Sequence, residues 1–324
     1  MRTPALYSSI ARLSQLVTST LVSSMPDAPV PLGGQAVVEG ILIRGPRASA
    51  IVARRPDGSL ATRIERQPIA GLARVLRRIP LLRGVFVLLE TIVLGVRALA
   101  WSSAVAAGQA NEGEEPPSLG VAGGIIVGLS FGFAVTLFFV GPAAATVWLD
   151  GRLPSIVVVL IEGGLRLALL VWYVWNAGRS PQIGRVFQYH GAEHMAIQAH
   201  EHGLALTAAS VRRFEKEHPR CGTSFLLTVV VLSMAVFLPF DDGPLWWRLG
   251  SRLALIPVVA AVSYEAIRLG ARYSMVPVVR WLFSANIALQ HLTTRAPDDE
   301  HVQVAIEAVE RCLEAERASI SARP

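Results

Sequence analysis

The sequence predicts a mainly α, polytopic membrane protein. It should have about four transmembrane helices, a small N-terminal antiparallel β unit, cytoplasmic loop helices and a C-terminal amphipathic helix. Three observations lead there. Of 324 residues, 52% are hydrophobic and the mean hydropathy is +0.46, with apolar residues gathered into blocks of about 20, the length that crosses a hydrocarbon core. The net charge is +6, every basic residue except Lys216 is an arginine, and these arginines cluster beside the apolar blocks, as they do at a lipid headgroup surface. Short β-prone runs separated by turns precede the first block. No nucleic-acid-binding module is recognisable, so no nucleic acid is expected as a partner. The two cysteines, Cys221 and Cys312, are too few and too far apart for a disulfide framework and are read as reduced, cytosol-facing thiols.

The elements follow in order. Residues 1–30 read as a disordered extension. Their first 25 carry Arg2, Arg12 and many Ser and Thr but no acid, which fits an organelle transit peptide, a bacterial extension or a start site placed too early. Arg12 interrupts any secretory signal. Residues 31–70 form the small cytoplasmic β unit, with Asp57-Gly58 where a hairpin turn is wanted. Residues 71–110 are amphipathic or interfacial. Within them 83–107 is an apolar helix carrying Glu90 and Arg97 on one face, suited to lying in the interface, packing on protein or crossing the membrane.

Four stretches near 119–149, 153–176, 223–240 and 248–271 are long enough to cross. They form two pairs, 119–176 and 223–271, and Gly141-Pro142 should kink or end the first helix. The linkers within the pairs are "DGR" and "FDDGPLWW", whereas residues 177–222 and the segment after the fourth span carry Arg179, Arg185, Arg212, Arg213, Lys216, Arg220, Arg272 and Arg280. The positive-inside rule then places 177–222 and both termini in the cytoplasm of a multi-pass plasma-membrane protein. The bilayer is the expected partner, and a homo-oligomer is allowed. In the cytoplasmic C-terminal part, 272–324, Val302, Ile306, Val309 and Leu313 recur at helical spacing behind Asp298 as cap, so this helix should dock on the protein's own core or, as the alternative, on a partner.

Chemistry concentrates in "YHGAEH", residues 189–194. His190 and His194, four apart, share a helical face and can both reach one divalent ion, and Glu193 completes H-x-x-E-H, whose carboxylate can act as general base toward water. The plainer explanation is a polar helix face. "HPRCGTS", residues 218–224, adds His218 and Cys221, both good zinc ligands, in a run that also suits a fixed turn before a helix. His200 and His202 are alternates. Glu162 and Arg166 sit one turn apart in the second span, placed to neutralise each other or to line a path. Glu265 and Glu39 are each either an arginine's partner or a further metal ligand.

In order, "GGQAVVEG", "FQYHGAEH", "HPRCGTSF", "SYE" and "LTTRAPDD" resemble the signature stretches of the YqhQ family, bacterial integral membrane proteins of unknown function catalogued as predicted metal-dependent enzymes. The likeness spans roughly residues 31–312. It implies a site built from His190, Glu193, His194, His218 and Cys221, with Gln35 and Glu39 from the glycine-rich start. Met195 and Ala296 depart from the pattern, standing where a lysine and an acid are usual. The reading that results is a metal-dependent hydrolase, acting on a lipid-linked or membrane-proximal substrate through a divalent ion, zinc by ligand type, with Glu193 catalytic. The alternatives are a structural metal site formed by the same residues, or a transporter or channel whose path Glu162, Arg166 and Glu265 would line.

Overall fold

The computed structural model describes residues 29–66, 75–115, 120–219, 221–273 and 276–321. Nearly all of the expected N-terminal extension lies outside them. The β-prone runs form a meander of β1 (Gly33–Val37), β2 (Gly40–Arg44), β3 (Ala48–Arg54) and β4 (Leu60–Arg66), each strand antiparallel to the next. At the expected Asp57-Gly58 turn, Gly58 takes φ 84° and the Asp57 carboxylate accepts from the Ser59 amide at 2.9 Å.

The helices are α1 (Leu82–Ala106) and α2 (Gly120–Val135), which runs through a π turn (Thr136–Val140) into α3 (Gly141–Thr146). Next come α4 (Ser155–Ala177), α5 (Pro181–Glu201), the single turn α6 (Ala208–Val211) and α7 (Ser224–Phe237). The chain closes with α8 (Leu245–Arg272), α9 (Pro277–Thr293) and α10 (Asp299–Ser321).

Side chains alternate across a strand, so the sheet feeds two cores. Ile41, Ile43, Ala50 and Val52 pack on α5 and α10, while Leu42, Ile51, Ala53 and Ala61 pack on Ala98, Trp101 and Val105 of α1. The C-terminal helix docks as its periodicity predicts: Val302 and Val309 are buried, and Ile306 and Leu313 pack beside them. Asp298 caps it, accepting from the amides of Glu300 at 3.1 Å and His301 at 3.2 Å. Near its far end the Glu316 carboxylate accepts from the amides of Arg47 at 2.6 Å and Ala48 at 2.7 Å, fastening α10 to the β2–β3 turn.

Among the described residues, four helices are long and apolar enough to cross a membrane: Leu82–Ala106, Gly120–Leu149, Ser155–Ala177 and Leu245–Gly270. The set differs by one member from the expected one. The run at 223–240 is a shorter apolar helix, Ser224–Phe240, near the lower limit of about 17 residues, because Gly222 and Asp241 bound it. The α1 helix meets the length criterion, yet its C-terminal half is buried on the sheet. Glu90, on its N-terminal half, pairs with Arg44 at 2.6 Å and Arg77 at 2.5 Å.

The expected kink at Gly141-Pro142 takes the form of the π turn. Pro142 has no amide hydrogen to offer Phe138 four residues earlier, and the Phe138 carbonyl instead accepts from Arg166 Nε at 2.6 Å. Arg166 also pairs with Glu162 at 2.6 Å, as its spacing predicts. The structure extends this pair into a buried network. Glu162 further takes Arg252 at 2.9 Å and Arg248 at 3.2 Å, Asp241 takes Arg252 at 2.6 Å, and Asp150 takes Arg248 at 2.6 Å. Three arginines therefore meet three carboxylates, and the charges balance within the protein as burial requires. Glu162→Ala should destabilise the protein by about 3–5 kcal/mol, since it strands buried guanidiniums. The thermal midpoint in detergent measures this, and an unchanged midpoint would mean that the network does not hold the helices together.

Candidate metal centre

One face of α5 belongs to the core beneath the sheet, through Tyr189, Ala192, Ala196 and Ala199. A helix that buries those positions turns His190 and His194 the other way and leaves Glu193 at the edge of the buried face, between Tyr189 and Ile197. The two imidazoles lie side by side with ring centroids 4.3 Å apart. His190 Nδ1 donates to the Thr293 carbonyl at 2.9 Å and His194 Nδ1 donates to the Lys216 carbonyl at 2.6 Å. A carbonyl only accepts, so each ring carries its proton on Nδ1 and presents the Nε2 lone pair, the arrangement that outer-shell carbonyls impose on metal-ligating histidines. His190 Nε2 is 3.2 Å from Cys221 Sγ. The ligand atoms of His190, His194 and Cys221 all lie within 4.8 Å of one another, so this trio could hold a metal ion.

The electrostatics of the pocket suit a cation. Burial and the neighbouring His190 push His194 down to about 2, and burial lowers His190 as well. Burial also pushes the Cys221 thiol up to about 11 and the Glu193 carboxyl up to about 8. By itself the pocket therefore holds neutral rings, a thiol and a carboxylic acid. Glu193 Oε2 is buried and has no hydrogen-bond partner among the described residues, whereas the Thr223 hydroxyl and amide approach the Cys221 sulfur at 3.1 and 3.4 Å. An orphaned carboxylate oxygen and a sulfur that accepts hydrogen bonds both gain from a nearby positive ion.

The remaining candidates are placed individually. His218 lines the same cavity, with its ring 5.6 Å from that of His194, but its Nε2 is 3.2 Å from Glu201 and it stands outside the three-ligand group. Glu39 forms two bonds to Arg185, at 2.6 and 2.5 Å, and accepts from the Tyr189 hydroxyl at 3.1 Å. These partners, Arg185 above all, hold its carboxyl below the usual range. Glu265 pairs with Arg83. Gln35 lines the cavity beside the metal ligands. His200 and His202 bond the carbonyls of Val30 at 2.9 Å and Gln198 at 2.8 Å. Met195 packs in the core beneath the sheet.

With this geometry in view, the comparisons with known proteins become specific. A family model described as a protein of unknown function (DUF1385) matches residues 79–315. The chain is 35% identical over 302 residues to the uncharacterized protein YqhQ of Bacillus subtilis (strain 168), covering 90% of this chain and 95% of that one. The chain belongs to the DUF1385 family. No solved structure matches it.

Within this DUF1385 chain, the site rests on residues to which sequence reasoning gave no part. Gln290 of α9 grips the backbone of His218 at both ends, accepting from its amide at 2.8 Å and donating to its carbonyl at 2.9 Å. Gln198 donates to the carbonyls of Glu215 at 2.7 Å and Glu217 at 3.1 Å, which steadies the Lys216 carbonyl beneath His194. Two glycines make room. A Cβ on Gly34 would strike the Glu193 carboxyl, and one on Gly191 would strike the Arg295 carbonyl. The glycine in YHGAEH thus lets residues 293–295 lie against α5, where the Thr293 carbonyl meets His190. Gly191→Ala should destabilise the fold by about 1–3 kcal/mol, since the collision is with backbone, and should lower metal content. Thermal unfolding and metal analysis check this, and wild-type values for both would remove the packing role.

Proposed function

We propose that this chain is a membrane-embedded, metal-dependent hydrolase whose site opens at the cytoplasmic membrane face onto a lipid-linked or membrane-proximal substrate. The observation that carries this reading is the three-ligand His190, His194 and Cys221 group on the wall of a cavity of about 740 Å³ that Glu193 also lines. Structural zinc sites close four protein ligands around the ion, whereas catalytic sites use three and leave a position open. Two imidazoles and a thiolate favour zinc among divalent metals. Bound there, such an ion supplies a Lewis acid that polarises a substrate oxygen and lowers the pKa of water. Glu193, outside the ligand group, is then placed to take a proton at its free carboxylate oxygen. The thiol of Cys221 must lose its proton to serve as a ligand.

Purified protein should retain about one equivalent of a divalent transition metal. His190→Ala or His194→Ala should lose most of it, and Glu193→Gln should keep it. Metal loss in Glu193→Gln would make that residue a ligand, and a metal-free wild type would end the reading.

The proposed topology has four crossings, made by α2 with α3, α4, α7 and α8, and both termini in the cytoplasm. Support comes from α1, whose C-terminal half is tied to the same sheet that α5 and α10 cover. That helix therefore lies on the cytoplasmic side. Reporter fusions after Gly243 should behave as exported and those at Gly203 as cytoplasmic, and the reverse pattern would overturn this arrangement.

A further inference from the structure

The cavity that holds the metal ligands has a second chemistry. Arg44 of β2, Arg77, Arg83 at the start of α1 and Arg268 near the end of α8 line it together with His190, His194 and Cys221. The ion pairs that three of these arginines make among the described residues end on two carboxylates. Arg44 and Arg77 share Glu90, and Arg83 holds Glu265. Arg268 acts on that same Glu265. Of the charged side chains that line the cavity among the described residues, four are guanidiniums and one is a carboxyl group, that of Glu193, which is a surplus of positive charge.

Guanidinium forks are weakly hydrated and match the oxygens of a phosphate group in pairs. A phosphate monoester carries about −1.5 to −2 charge at neutral pH, which answers that surplus better than a single carboxylate does. The same wall carries the apolar side chains Leu42, Val87, Leu94 and Ile197. Two of the arginines belong to α1 and α8, helices long and apolar enough to meet the bilayer, so the cavity offers both the basic groups that a phosphate headgroup needs and apolar surface for a chain.

We propose that the arginine-lined part of this cavity binds a phosphate-type anion, and that the substrate of the adjoining metal centre carries a phosphate group. The anion site stands on the arginines and the cavity. That its occupant is the substrate rests on the hydrolase reading above.

The test uses the full-length protein in detergent and isothermal titration with two phosphate probes. Pyrophosphate represents a soluble source and dihexanoyl phosphatidate a lipid headgroup. Acetate and dihexanoylglycerol are the controls. At least one phosphate probe should bind and neither control should, and the tighter probe identifies the source. The double variant Arg77→Gln/Arg268→Gln should weaken phosphate binding about tenfold or more, with metal content unchanged. If it does not fold, Arg268→Gln carries the test, because that side chain is exposed. The proposal is overturned if neither phosphate probe binds, if the controls bind equally well, or if the variant binds like the wild type. Phosphate binding by a wild-type protein that retains no metal would keep the anion site and remove the hydrolase, so the two failures are separable.

Discussion

The site depends on how α5 is forced to face. Its small and aromatic positions, Tyr189, Ala192, Ala196 and Ala199, are taken up by the core beneath the sheet, and 3.6-residue geometry then turns His190 and His194 away from that core, with Glu193 at its edge. Two chain segments from distant parts of the sequence close over that second face. One brings the Lys216 carbonyl and Cys221, and the other brings Thr293 and Arg295. Because each imidazole spends its Nδ1 hydrogen on one of these carbonyls, packing of the backbone selects the tautomer, and the tautomer selects which nitrogens meet Cys221. Fold and ligand chemistry are coupled at those two hydrogen bonds.

Burying four titratable groups together is costly. Two rings, a thiol and a carboxyl in one pocket are all driven toward their neutral forms, and one carboxylate oxygen has no hydrogen-bond partner among the described residues. Such frustration is typical of functional sites, where it is relieved by what the site binds. Elsewhere in the molecule the same cost is avoided. Glu39 has Arg185 and Tyr189, and Glu162 has three arginines, all within hydrogen-bonding distance. The contrast separates structural carboxylates from Glu193 without reference to any family.

The membrane region obeys the same accounting of charge. Arg248 and Arg252 lie in the N-terminal part of α8, and each is paired with a carboxylate next to a helix end, Asp150 or Asp241. Arg166 fills the carbonyl that Pro142 leaves open. Polar groups within these helices thus hold helices together.

Much of this was legible in the sequence because it is local. The turn at Asp57-Gly58, the apolar blocks, the amphipathic α10 with Asp298 as its cap, the pairing of Glu162 with Arg166 and the shared face of His190 and His194 all follow from periodicity and spacing within a few residues. The sequence by itself therefore determined the kinds of element and the presence of candidate ligands. What it could not specify was which distant groups meet. Glu39 and Glu265 each had two plausible partners on composition, and the choice of arginine came only with the packing of α5 on the sheet and α1 on α8. His218 had the right chemistry and the right neighbourhood, but its ring is engaged with Glu201. Contact between residues far apart in the chain is a property of the three-dimensional arrangement, and only the tertiary structure decided it.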